Sequence, residues 1–337
     1  MTQTPTPPPS GEPPRRPGLA LVFPGQGSQY VGMGAQLFEQ SRKAARVLER
    51  ADETLGFPLS RLILEGPAEE LDQTVNAQPA ILATSIAYLE AMRELADAAG
   101  VALRPHRLAG HSAGQYAAAV AANAIDYADA LRLVRERGRL MQESGDEEGG
   151  MGAVIGLSDD QVDEVVAQAR AHGEISVANA NAPGQIVLSG VVPALVFALE
   201  LSKSLGARRT VRLAVSVASH SMLMRRAQRE FAAILSRVPF REPAVPLLGN
   251  VHATVIRSSD ALRRELSDHL THGVQWSESV RRMVASGVTD FVEVGPGRVL
   301  TGLIRRIDPH ARANYVDGNP LDPGLWLPGG GTAQAPA

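Results

Sequence analysis

The sequence predicts an α/β fold in which a parallel sheet with flanking helices is interrupted by a smaller β-α-β-β-α-β unit. Three observations carry this. Short unbroken apolar runs, Leu19-Ala20-Leu21-Val22-Phe23 and the run ending at Leu108-Ala109-Gly110, suit buried parallel strands, and each stops at a sharp turn. Longer helical stretches separate them. After the charged turn Asp146-Glu147-Glu148-Gly149-Gly150 the texture changes, and short strands and helices follow in a different order.

The chain has 337 residues, 44% apolar and 20% charged, enough for a large core and one or two domains. A net charge of −3 implies no general attraction to nucleic acid. The absence of cysteine excludes disulfides, thiolate catalysis and cysteine-ligated metal, and fits a cytoplasmic protein. No apolar run approaches the roughly 20 residues of a membrane span, and no apolar segment marks a secretory signal. Residues 1–17, rich in proline, and the tail 319–337 are expected to be disordered.

In order, residues 19–23 read as a strand that ends in the loop Pro24-Gly25-Gln26-Gly27-Ser28-Gln29. Residues 37–55 read as a helix. Another runs from 76 to about 98, with Pro79 near its first turn. The strand ending at Gly110 leads through a tight turn into the helix-favouring Ala117-Ala118-Ala119-Val120-Ala121-Ala122. A helix from Asp126 carries Arg137, Gly138 and Met141. The inserted unit follows at 148–214: strand 151–157, helix 158–172 with Ser158 and Gln161 in capping-box positions, strands 175–178 and 185–190 around Asn181-Ala182-Pro183-Gly184, helix 193–206, and strand 208–215. That order is the ferredoxin-like unit. Strands at 245–248 and 289–294 and a helix at 298–307 return to the larger domain, which therefore spans 18–147 and 215–318.

Gly110-His111-Ser112-Ala113-Gly114 places a serine between two glycines in a strand–tight turn–helix context. That is what a nucleophile elbow requires: the glycines allow close backbone approach, and the turn lifts the Ser112 hydroxyl to a helix N-terminus. A serine hydroxyl needs a base within hydrogen-bond reach, and eight histidines are available. His111 adjoins Ser112 and would point away from it. His106, His172, His252, His272 and His310 fall in loops or at helix ends.

Seven blocks in order complete the pattern. They are Phe23-Pro24-Gly25-Gln26-Gly27-Ser28-Gln29, Gln78-Pro79-Ala80, the elbow, Arg137-Gly138 with Met141-Gln142, Ser219-His220, Val274-Gln275-Trp276 and Glu293-Val294-Gly295-Pro296-Gly297. Together, over about residues 19–307, the chain resembles the malonyl-CoA:acyl carrier protein transacylases and the acyltransferase domains of polyketide synthases. The resemblance implies an α/β-hydrolase-like large domain with a ferredoxin-like insert. It implies Ser112 as nucleophile and His220 as base, with His220 oriented by the backbone carbonyl of His269 rather than by a carboxylate. It implies the backbone N–H groups of Gln26 and Ala113 as oxyanion donors. Arg137, which can grip a carboxylate with two hydrogen bonds, is implied as the selector of malonyl-type acyl groups, with Gln78 and Ser219 beside it. Asn179 and Asn250 read more simply as amides satisfying turns or the core. No metal or bound cofactor is implied; a CoA thioester is the donor and the phosphopantetheine thiol of an acyl carrier protein the acceptor.

An acidic carrier protein leads one to expect a basic rim, for which Arg225 and Arg226 are candidates, with Arg208, Arg209, Arg212, Arg298, Arg305 and Arg306 as further positive charges. Two positions depart from the family. Ala113 stands where leucine is usual, and Gln115 where glutamate is usual. The smaller Ala113 suggests room for a larger acyl group, and Ser219 is compatible with either class. Three alternatives share the scaffold: transfer of a larger acyl group between carrier proteins, an editing hydrolase, and a malonate decarboxylase subunit. A non-catalytic docking module is disfavoured by the intact set of site residues. The length suggests an enzyme acting on a separate carrier.

Overall fold

The computed structural model describes residues 18–144, 148–213, 215, 217–318 and 322–326. Residues 1–17, 145–147, 319–321 and 327–337, on which the expectations of disorder and of the charged turn mostly fall, lie outside the described residues. So do 214 and 216.

The chain opens with β1 (Gly18–Phe23), then α1 (Ala35–Gln40), α2 (Arg42–Leu55), α3 (Leu59–Glu65), α4 (Ala68–Leu71) and α5 (Thr74–Ala98). β2 (Arg107–Gly110), α6 (Gly114–Ala121) and α7 (Tyr127–Glu143) follow. Next come β3 (Gly149–Ile155), α8 (Asp159–Ala169), β4 (Ile175–Ala182), β5 (Gln185–Val191), α9 (Val192–Ser204) and β6 (Arg209–Arg212). The chain continues with α10 (Arg225–Leu235), β7 (Leu247–Leu248), β8 (Val255–Ile256), α11 (Ser259–Asp268), α12 (Trp276–Ala285), β9 (Val288–Glu293), α13 (Val299–Ile307) and β10 (Arg312–Tyr315).

The larger sheet has the order β10-β9-β1-β2-β7-β8, parallel except for the antiparallel pair β7/β8. β1 shows why an unbroken apolar run was needed. Leu19, Leu21 and Phe23 face the core under α2, α5, α6 and α7, whereas Ala20 and Val22 face the core under α12 and α13. Both faces of the strand are covered, so no position can be polar. The smaller sheet is antiparallel, order β4-β5-β3-β6. Val154, Ile186 and Leu188 pack against α8 and α9, while Met151 and Val187 alternate onto the other face.

Several elements differ from expectation. The helix expected over 37–55 is two: Ser41 adopts extended backbone and its hydroxyl accepts the Ala44 N–H, ending one helix and capping the next. α5 starts at Thr74, so Pro79 lies inside the helix. The strand expected at 245–248 shortens to Leu247–Leu248, and that at 208–215 to Arg209–Arg212. The capping box of Ser158 and Gln161 is present. The tail departs from expectation at 322–326, where Pro323–Leu325 forms a 3-10 turn and Trp326 is buried in the main core. Glu293, at the end of β9, caps α13: its carboxylate accepts the Leu300 N–H at 3.0 Å, the Thr301 N–H at 2.7 Å and the Thr301 hydroxyl at 2.8 Å. Burial pushes that carboxyl up to about 7.

Among the described residues, no helix is long and apolar enough to cross a membrane, and no group of three or more His, Asp or Glu side chains could hold a metal ion.

Candidate active site

The turn between β2 and α6 is held against the end of β1. The His111 N–H donates to Phe23 O at 2.9 Å, and the Gly114 N–H to His111 O at 2.9 Å. A Cβ on Gly110 would stand 2.1 Å from the Gly114 carbonyl, and one on Gly114 would stand 2.2 Å from Phe23 O. Both glycines are therefore steric requirements of the turn. Ser112 sits between them at φ +50°, a strained conformation for a side-chain-bearing residue, and so presents its hydroxyl outward.

Ser112 Oγ lies 2.9 Å from His220 Nε2. On the far side of the ring, Nδ1 lies 2.7 Å from His269 O and 3.2 Å from His272 O. Carbonyl oxygens only accept, so Nδ1 carries the proton and Nε2 keeps the lone pair that can take the Ser112 proton. Among the described residues no carboxylate is hydrogen-bonded to the ring. Burial, followed by the Arg137 charge, pushes the imidazole down to about 3, so it stands neutral. The His269 side chain is wholly buried with neither ring nitrogen partnered, 4.9 Å from the His220 ring. Its contribution to His220 is through its main chain. The second carbonyl, from His272, had no sequence signal, because any residue can supply a backbone oxygen.

Arg137 projects from α7 with only 1% of its surface exposed. Nη1 donates to Gln78 Oε1 at 2.8 Å, Nη2 reaches Ser112 Oγ at 3.4 Å, and Nε has no partner. No acid pairs with it among the described residues. Gly138 makes this placement possible: a Cβ there would stand 2.7 Å from Thr74 O and Val75 Cα, so the glycine lets α7 close on the start of α5. Gln78 is buried behind the guanidinium rather than on the cleft wall, and acts on the site through Arg137.

These groups open onto a cleft of about 600 Å³ between the two sheets. Met151, Val187 and Leu213 form its apolar wall on the small-sheet side, and Leu300 and Leu303 on the α13 side. Gln26, Ser219, Asn179 and Asn181 supply polar lining. The N–H groups of Gln26 and Ala113 are not taken by any backbone carbonyl among the described residues. Ala113 itself is buried. His111, adjacent to Ser112, donates through Nε2 to Asn181 Oδ1 at 2.9 Å and packs edge-on to Trp276, tying the elbow to the small sheet. Asn250 lies behind the elbow, and its Oδ1 accepts the Ser112 N–H at 2.9 Å.

The basic residues divide. Arg225 and Arg226 start α10, with Arg226 paired to Glu230. Arg306 reaches across to Gln185 Oε1, Arg305 to Ala313 O, and Arg298 lies over the Tyr315 ring. Arg226, Arg298, Arg305 and Arg306 are each engaged within the fold.

The acyl transferase domain family matches this chain over residues 20–310. The malonyl CoA-acyl carrier protein transacylase of Bacillus subtilis is 42% identical over 292 residues, covering 86% of this chain and 90% of the relative. The polyketide biosynthesis malonyl CoA-acyl carrier protein transacylase PksC of the same organism is 38% identical over 297 residues, covering 88% and 99%. Among solved structures, a malonyl-transacylase in complex with its type II polyketide synthase acyl carrier protein superposes with a TM-score of 0.87 at 39% identity, covering 91% of this chain and 99% of that one.

Proposed function

The chain belongs to the acyl transferase domain family, and from that premise we propose that it moves a malonyl group from CoA to an acyl carrier protein through an acyl-serine. The observation that carries the choice of acyl group is Arg137. A buried guanidinium without a counter-ion among the described residues, reaching Ser112 Oγ at 3.4 Å, is a site waiting for a carboxylate close to the reacting carbonyl.

In the first half-reaction Ser112 Oγ attacks the thioester carbonyl while His220 Nε2 takes its proton. The negative charge that develops on the carbonyl oxygen is met by the N–H groups of Gln26 and Ala113. The C–S bond breaks, and the departing CoA thiolate takes the proton from Nε2. In the second half the phosphopantetheine thiol gives its proton to Nε2, its sulfur attacks the acyl-serine, and the Ser112–acyl bond breaks as Oγ recovers the proton. The His269 and His272 carbonyls favour the imidazolium in both halves by accepting from Nδ1. Two substrates using one site in turn give ping-pong kinetics. Arg225 and Arg226 are the proposed contacts to the acidic carrier.

We read the larger sheet with its elbow as an α/β-hydrolase-like catalytic domain at 18–147 and 215–318. The small sheet at 148–214 is read as a ferredoxin-like insert, from its β-α-β-β-α-β order and its 2-3-1-4 strand arrangement. The reading places the enzyme in the cytoplasm, where acyl carrier proteins are charged.

The test separates the half-reactions. Protein incubated with malonyl-CoA, freed of CoA and then given holo-acyl carrier protein is expected to pass malonyl to the carrier with no CoA present. Ser112→Ala is expected to form no adduct. CoA release without transferable adduct would replace transfer by hydrolysis.

A further inference from the structure

Behind the elbow runs a buried polar network that the reaction steps do not use. Asn250 takes the Ser112 N–H on its Oδ1 and donates through Nδ2 to Gly110 O at 2.8 Å and Gln115 Oε1 at 3.0 Å. Gln115 Oε1 also accepts the Gly110 N–H at 3.1 Å, and its Nε2 donates to Leu248 O at 2.9 Å. The asparagine is itself held by Glu265, whose Oε1 accepts the N–H of Asn250 and, at 3.1 Å, that of Val251. Gly249 makes room for this carboxylate, since a Cβ there would stand 2.8 Å from Glu265 Oε2.

Glu265 reaches the other catalytic group as well. It lies on α11, and its backbone carbonyl accepts the His269 N–H at 3.0 Å. The His269 carbonyl in turn takes the His220 Nδ1 proton. One residue thus supports the nucleophile through its side chain and the base through its main chain. The elbow glutamate usual in the family is Gln115 here, a neutral amide whose N–H₂ suits the Leu248 carbonyl. The carboxylate of this network enters instead from α11, on the far side of Asn250.

We infer that Glu265 is a positioning residue for acyl transfer, fixing Asn250 and thereby the Ser112 elbow relative to His220. The inference rests on Ser112 being the acylated nucleophile. A buried carboxylate that merely held the 249–251 loop would affect stability; one that sets the Ser112–His220 geometry must affect the chemical step. Removing the acceptor leaves two buried N–H groups unpaired and frees Asn250 to turn.

The experiment is single-turnover acylation by malonyl-CoA, followed by rapid quench. Wild type must acylate; if it does not, the acyl-transfer reading fails and Glu265 is not the cause. Glu265→Met is expected to lower the acylation rate constant about 30-fold, within the roughly 100-fold that a misplacement of about 1 Å costs, with malonyl-CoA affinity within about twofold. Glu265→Gln, which keeps one acceptor oxygen, should recover most of that loss. The double variant Glu265→Met/Asn250→Ala should be no slower than Asn250→Ala alone, because the two act in one line. If the Met variant does not fold, Glu265→Asp, which keeps the charge but shortens the reach, takes its place with the same expected loss. Acylation at the wild-type rate in the Met or Asp variant, a loss confined to affinity, or additive losses in the double variant would overturn the proposal.

Discussion

At the scale of single residues the site is defined by two buried ionisable groups, one charged and one neutral. Among the described residues Arg137 is a buried cation without an anion, and replacing it relieves that cost while removing the proposed acyl selector. Arg137→Met is therefore expected to melt higher than wild type by calorimetry, while its malonyl loading falls about 100-fold, the value of two charge-assisted hydrogen bonds. His220 is the second. Its folded value of about 3 keeps it a competent base far below the ordinary 6.5 of an imidazole. A base works above its pKa, so kcat/KM for acylation should stay level from pH 8 to about 5, with no ionisation near 6.5. A bound carboxylate neutralises Arg137, one of the charges that depress His220, so the acid limb of kcat should lie at higher pH than that of kcat/KM. That Ser112, His220 and Arg137 meet was legible because each sits in a block shared with the transacylases, and the fold brings the three together. The Glu265–Asn250–Gln115 network was not, because the side-chain and N–H bonds of Asn250 that hold it together span 15 to 140 residues and no local pattern records them.

At the scale of elements, the crossing of α5 and α7 does most to place chemistry. Gly138→Ala puts a methyl group 2.7 Å from Thr74 O and Val75 Cα, atoms of a backbone that cannot step aside. We expect a loss of about 1–3 kcal/mol in denaturant unfolding and a raised KM for malonyl-CoA, because α7 carries Arg137 away from Ser112. Elements with their own buried pattern were readable: β1, β2, β9 and the capping box of α8. β8 and β10 were not: both are part-exposed edge strands of the larger sheet and lack the unbroken apolar run that marks a strand covered on both faces. The break between α1 and α2 was missed because Ser41 ends one helix only by capping the next.

At the scale of the molecule, two sheets share one cleft and are tied across it. Val274 pairs with β4, its N–H donating to Ala178 O at 2.8 Å, and Arg306 reaches the β4–β5 hairpin. Burial of His111, His220 and His269 holds all three below the value an unfolded chain would give them. Groups with depressed folded values contribute stability that is present above about 6.5 and lost as pH falls. Glu293, raised to about 7, acts in the opposite sense: its contribution is full below about 4.5 and lost as pH rises through 7. Glu265 is raised by burial in the same sense, so three histidines stand against two carboxylates, and the melting temperature is predicted to fall from pH 7 to 5. The slope should be shallower in His269→Gln, which removes one titrating ring and keeps the main-chain carbonyl. The sequence foresaw both sheets and the elbow between them, but not how the sheets meet, since that interface is built from loops and single hydrogen bonds.

The central claim is that Arg137 beside the Ser112–His220 pair makes this an enzyme for acyl groups bearing a free carboxylate. Intact-mass measurement of the acyl-enzyme after brief exposure to malonyl-CoA or acetyl-CoA, in wild type and Arg137→Ala, tests it most directly. The predicted result is a malonyl adduct on Ser112 in wild type with little acetyl adduct, and loss or reversal of that preference in the variant. Equal loading of both acyl groups by wild type, or an unaltered malonyl preference in Arg137→Ala, would contradict it.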